Sequence, residues 1–157
     1  MGRGPIASAL TVIAAAAVFA LVGCGGGGSS DDTGTISKAA FVKQAEAVCK
    51  RNTRRLQRDI IRVLRTKRGI RKPTQEENVH LVGAVIVPNV RREVKELRAL
   101  SVPSGDEQTI DAMISALEEG LEIAENDPKA VTSTSDVVFG IASRLAAEYG
   151  LEACGTR

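Results

Sequence analysis

The chain has 157 residues, 25% of them charged, and a formal net charge of only +2. So small a surplus provides no whole-protein field to draw in nucleic acid. Aromatics at 3%, with no tryptophan, count against a β-sandwich, an aromatic-lined cavity or a base-stacking platform and favour a helical bundle of aliphatic residues.

The first segment reads as an export signal. Arg3 precedes an apolar run from Ala9 to Val22, and Leu21-Val22-Gly23-Cys24 follows as a lipobox. The run is shorter than the roughly 20 residues a membrane-spanning helix needs. An ordinary signal peptide is the competing reading, but a cysteine directly after a small glycine, with leucine three before it, favours lipidation. Residues 1–23 are therefore expected to be removed, leaving Cys24 diacylated and the chain anchored at the extracytoplasmic face of a cell membrane. Residues 24–36 form a Gly/Ser-rich linker, a flexible coil of roughly 20 Å mean span. Residues 37–157 are expected to form the folded domain.

Ser37 is placed to cap the first helix, expected over 37–67. Phe41, Ala45, Val48, Cys49, Leu56, Ile60, Val63 and Leu64 recur at spacings of three and four and form its apolar stripe. Gly69 ends it. Arg51, Arg54, Arg55, Arg58, Arg62 and Arg65 recur at the same spacing and form a basic stripe. Thr74 to Glu77 then fits a capping box, opening a second helix with Val79, Val82, Ile86, Val90, Val94, Leu97 and Leu100 inward. Pro88 lies inside it and cannot bond the carbonyl of Ala84, so a kink or break is expected there. Pro103 ends the element.

Ser104 to Glu107 fits a second capping box. The third helix follows, with Ile110, Met113, Ile114, Leu117, Leu121 and Ala124 on one face, and Asn126-Asp127-Pro128 stops it. The last helix is expected over about 135–149, with Val138, Ile141, Ala142, Leu145 and Tyr149 inward. Gly150 is placed as its left-handed C′ residue, with Leu151 folding back. Four amphipathic helices on short connections predict an all-α, up-down-up-down four-helix bundle. With Cys24 taken by lipid, Cys49 and Cys154 remain as an even pair in an exported chain and should form one disulfide; two unrelated buried thiols are the alternative. The first and last helices lie side by side in such a bundle. Cys49 would then sit near 18 Å along the first helix, a height that a short last helix could match.

These features resemble a group of small, mostly uncharacterised lipoproteins and secreted proteins of high-GC Gram-positive bacteria. The likeness rests on Ser37-Lys38-Ala39-Ala40-Phe41 leading to Ala47-Val48-Cys49, on Leu97-Arg98-Ala99-Leu100 with Pro103, and on Glu148-Tyr149-Gly150-Leu151 with Cys154-Gly155. It covers most of residues 36–155. It implies an exported helical domain with one disulfide and brings no activity and no catalytic residues.

No catalytic or metal-binding constellation is expected. Glu77 and His80 have the Glu-x-x-His spacing of di-iron bundles, but such sites need two pairs and His80 is the only histidine. Glu118, Glu119, Glu122 and Glu125 read as a solvated face. Between Lys50 and Lys72 stand eleven bases and one acid, Asp59, while Ala99 to Pro128 holds eight acids and no base. Helix faces of opposite sign that attract each other would explain this asymmetry. The basic stripe would otherwise contact an anionic lipid or wall polymer, since the acids lie on a helix expected to be diagonal to it. The function expected is a lipid-anchored, non-enzymatic binding or envelope-structural domain without a cofactor, with a small-ligand module as the alternative. A sizeable apolar cavity would favour ligand binding, and a buried, strongly shifted carboxylate beside a cleft would favour an enzyme.

Overall fold

The computed structural model describes residues 36–66 and 69–156. The expected signal segment, Cys24 and the linker up to residue 35 lie outside the described residues. What is described is mostly helical and carries one disulfide.

Helix α1 spans Lys38–Leu64, and the Ser37 hydroxyl caps it by accepting the Ala40 N–H at 3.2 Å. It stops at Leu64, earlier than glycine placement suggests, because the chain turns into a two-residue antiparallel ladder. Strand β1 (Arg65–Thr66) pairs with β2 (Gly69–Ile70), Arg65 opposite Ile70. Gly69 supplies the positive φ of 123° that the return requires. The buried face of α1 is the expected one at Phe41, Ala45, Val48, Cys49 and Leu64, but Val63 is exposed.

The second helix is not broken at Pro88. It runs as α2 (Gln75–Leu81), a π-helical turn (Val82–Ile86) and α3 (Val87–Arg98). The Val87 N–H bonds the carbonyl of Val82, five residues back. Widening the turn by one residue just before the proline relieves the clash that Pro88 would cause in a regular helix. The wider turn also adds Val85 and Val87, off the expected stripe, to the buried set. The Thr74–Glu77 capping box is formed, with Thr74 Oγ1 accepting the Glu77 N–H at 3.2 Å and Glu77 accepting the Thr74 N–H at 2.8 Å. The helix ends at Arg98, several residues before Pro103.

Helix α4 spans Glu107–Asn126 and buries all six expected residues. Its N-cap is Asp106, which makes no side-chain cap bond because its carboxylate accepts the Tyr149 hydroxyl at 2.6 Å. The second capping box is thus incomplete, although Glu107 accepts the N–H of Gly105 at 2.8 Å. The single last helix is corrected to three pieces: α5 (Pro128–Val138), α6 (Gly140–Tyr149) and α7 (Glu152–Gly155). Asp127 ends α4 and caps α5, accepting the Lys129 N–H at 3.1 Å, with Pro128 at the first helical position. The break at Phe139 turns its ring inward, where α4 presents Gly120. Ile141, expected inward, is 54% exposed, and Ala146 is buried instead. Gly150 is left-handed (φ 99°), and the Leu151 N–H returns to the Ala146 carbonyl at 2.8 Å. Leu151 is fully buried, as the closing contact of this cap should be.

Helix α1 packs on α3 and α7, α3 on α4, and α4 on both α5 and α6. Cys49 on α1 joins Cys154 on α7, with 5.2 Å between their Cα atoms. The core falls into two parts. A large one runs from Phe41 and Leu151 through α4 and α6. A small one, Leu64, Leu81 and Val85 with Leu56 and Ile60 packed on it, sits at the hairpin end of α1. Each fully buried aliphatic or Phe side chain contributes about 1.5–3 kcal/mol, so the large cluster carries most of the stability.

Candidate functional site

A groove lies where the core is interrupted. Its wall on one side is α1, at Thr53, Leu56, Ile60 and Leu64, spaced so that they share a face. Facing them are Val82 and Ile86 of the π-turn, Val90 of α3 and Val131 of α5. Two lobes share Ile86 and Val131. The larger, about 320 Å³, ends at Leu64 and Pro73. The smaller, about 180 Å³, ends at Asn89, Glu93, Phe139 and Thr156. From Thr53 to Leu64 the α1 wall is about 16 Å long. A π-turn beside a recess is a frequent arrangement at functional sites; here it moves Ile86 to a half-buried position between the lobes.

The inner end of the groove is polar. Glu93 is 5% exposed, and its carboxylate and the sulfurs of Cys49 and Cys154 lie within 4.8 Å of one another. Those sulfurs are joined to each other and offer no thiolate to a metal. Asn52 and Asn89 are buried beside them. Asn89 donates to the Asn52 carbonyl at 3.2 Å, and Asn52 donates to the Val48 carbonyl and to Glu96, both at 3.2 Å. This belt fixes α1 against α3, since a buried amide left without partners would cost about 1–3 kcal/mol. The sequence-based reading passed over Asn52, Asn89 and Glu93. A signal was present: Asn52 continues the Ala45–Val48 spacing, and Glu93 stands three after Val90 and four before Leu97, so polar side chains occupy core positions.

The basic stripe divides in two. Arg51 meets Glu96 at 3.1 Å, and Arg55 meets Glu96 at 3.8 Å and donates to Asn52 Oδ1 at 2.9 Å. Further along, Arg62 pairs with Asp59 at 3.1 Å, while Arg54, Arg58 and Arg65 have no carboxylate within ion-pair distance among the described residues. The acids of α4 do not reach this stripe. Glu118 and Asp111 engage Arg98, and Glu125 engages Arg91 at 2.7 Å, both arginines being on α3. The two carboxylates hold Arg98 above its ordinary range despite partial burial. Glu119 and Glu122 are exposed. His80 is exposed as well, and Glu77, three residues before it, is drawn to Arg71. That hydrogen bond, with the Thr74 N–H, holds the Glu77 carboxyl at about 2.

Neither a protein-family model, nor a curated protein, nor a solved structure matches the chain. Among the described residues no helix is long and apolar enough to cross a membrane.

Proposed function

We propose that the chain is a lipid-anchored, extracytoplasmic, non-enzymatic module whose helical domain binds a small apolar or amphiphilic ligand. The observation that carries this is the groove: an apolar channel with a polar inner end, placed where two parts of the core fail to merge. Apolar walls with a few placed polar groups are the ordinary make-up of a ligand site.

Three further features support the rest of the reading. The Leu21–Cys24 lipobox and the Gly/Ser stretch after it support an anchor on Cys24 and a short tether to the membrane. The Cys49–Cys154 disulfide, and the resemblance of its sequence contexts to exported proteins of high-GC Gram-positive bacteria, support an oxidising, extracytoplasmic location. Four long helical stretches (α1, α2–α3, α4, α5–α6) on short connections support a four-helix up-down arrangement. A buried carboxylate does stand beside the groove. It is one group, however, and no second titratable side chain lines the groove to form an acid–base pair with it.

An apolar fluorophore that brightens when desolvated tests the ligand site. Val131→Phe and Ile86→Phe narrow the wall that both lobes share and should abolish probe binding with the disulfide intact and the melting transition kept. Equal brightening in wild type and both variants would move the site elsewhere. Intact mass tests the anchor: a wild-type chain from its native envelope without diacylglycerol on Cys24 would refute it.

A further inference from the structure

We propose that the hairpin end of α1 is a second membrane contact, an apolar wedge ringed by arginines that enters the surface of an anionic bilayer. The contact is independent of the groove and of any ligand in it.

Arg58, Ile61, Arg62 and Arg65 bound one surface recess of about 330 Å³. Arg58 and Arg62 fall on the face of α1 opposite Leu56, Ile60 and Leu64, which pack into the small core cluster, and Arg65 follows on that side at the helix end. The ladder places Ile70 opposite Arg65 and so extends the patch. Ile61 is 37% exposed and Ile70 63% exposed. Two large aliphatics held in water beside three guanidiniums make a poor free surface and a good interfacial one. The headgroup layer offers phosphates to the arginines, and the acyl boundary beneath it takes the isoleucines. Charge complementarity selects an anionic surface. Asp59 is the only acid between Lys50 and Lys72, and among the described residues it engages Arg62 alone. Arg58 and Arg65 are left to an outside phosphate.

The chain has no tryptophan, so Ile61→Trp and Ile70→Trp each create a single emitter. The full chain, reconstituted in vesicles with or without phosphatidylglycerol, reports tip depth through quenching by brominated acyl chains. The expected result is a blue shift and quenching at both positions in anionic vesicles only, with Ile141→Trp on α6 unquenched. Arg58→Gln, Arg62→Gln and Arg65→Gln should each lower the docked-to-undocked ratio roughly fivefold, and Asp59→Asn should raise it by a similar factor. Circular dichroism of each variant reports the fold, and Asp59→Asn provides a gain of signal that unfolding cannot imitate. No quenching at 61 and 70, equal quenching in neutral vesicles, or equal quenching at 141 would overturn the proposal. Soluble polyphosphate shifting the emission where anionic lipid does not would also overturn it and assign the patch to a polymer.

Discussion

Glu46 on α1 accepts the backbone N–H of Ala153 on α7 at 2.7 Å, so the residue before Cys154 is held to α1 by a bond that does not depend on sulfur. Burial alone would raise the Glu46 carboxyl, but the Lys50 ammonium and the Ala153 N–H together hold it below the usual range. The disulfide closes a separation of 105 residues, worth on the order of 4–5 kcal/mol in the chain-entropy model. The Cys49→Ala, Cys154→Ala double variant should therefore melt well below the wild type yet keep its helix content when cold. Adding Glu46→Ala should then release α7, seen as loss of amide protection at positions 154 and 155 relative to the double variant. Retained protection there would show that the hydrogen bond contributes nothing.

Gly120→Ala offers a test in which two effects oppose each other. In a helix interior the substitution ordinarily stabilises by about 1 kcal/mol. Here a Cβ would stand 2.7 Å from Phe139 Cδ1 and 2.7 Å from the carbonyl oxygen of Val138. The ring can swing, but the backbone oxygen cannot move without displacing α5. Overpacking of this kind costs about 1–3 kcal/mol, so a net loss of stability is expected in denaturant melts. A stabilised variant would mean that the α5–α6 junction yields easily.

Tyr149 is the only tyrosine, which makes its ionisation directly visible in the ultraviolet. Burial first, and then the hydrogen bond to Asp106, push its hydroxyl well above the ordinary value of 10.0. A raised acid loses its stabilising effect as pH climbs above the unfolded value. The phenolate band should accordingly appear only together with unfolding at alkaline pH, as one transition. Tyr149→Phe should cost about 1–3 kcal/mol at neutral pH and remove that dependence. A phenolate band near pH 10 in the folded protein would contradict the buried bond.

Glu77 gives the opposite sign at the acid end. Arg71 and the Thr74 N–H depress its carboxyl from 4.5 to about 2. The contribution is present above the unfolded value and is lost as pH falls from about 4.5 toward 2. The start of α2 should fray across that window, and Glu77→Gln should fray it at every pH. Residue-resolved NMR titration of the Glu77 carboxyl is the check, and an ordinary midpoint near 4.5 would refute the capping-box account.

Much of the fold was legible because it is local. Ser37, Thr74 with Glu77, and Gly150 with Leu151 act within a few residues of themselves, and each does what its residue type requires. What failed was tertiary. Pro88 reads as a kink or a break from its own chemistry, and only the structure shows that one extra residue in the turn before it lets the helix continue. The break at Phe139 is marked locally only by Gly140, and it depends as well on Gly120, a distant residue that leaves room for the ring. The candidate site was the least legible part. Asn52, Asn89 and Glu93 stand at core spacings, but only their neighbours show them as one belt. Which arginines were paired depended on where α3 places Glu96.

The division of the core has a consequence for exchange with solvent. Leu64, Leu81 and Val85 form a cluster of their own at the far end of α1, within the long loop that Cys49 and Cys154 close but away from the bridge itself. Regions with few buried contacts open at lower free energy than the global transition. Amides from Leu56 to Val85 should therefore trade their protons for deuterium in a separate, faster unit, while those near Phe41 and Leu151 wait for the whole domain to unfold. The segment that opens first is one wall of the groove. Entry and exit of a ligand would then be timed by the breathing of this weaker end, with the cross-linked end as the fixed base.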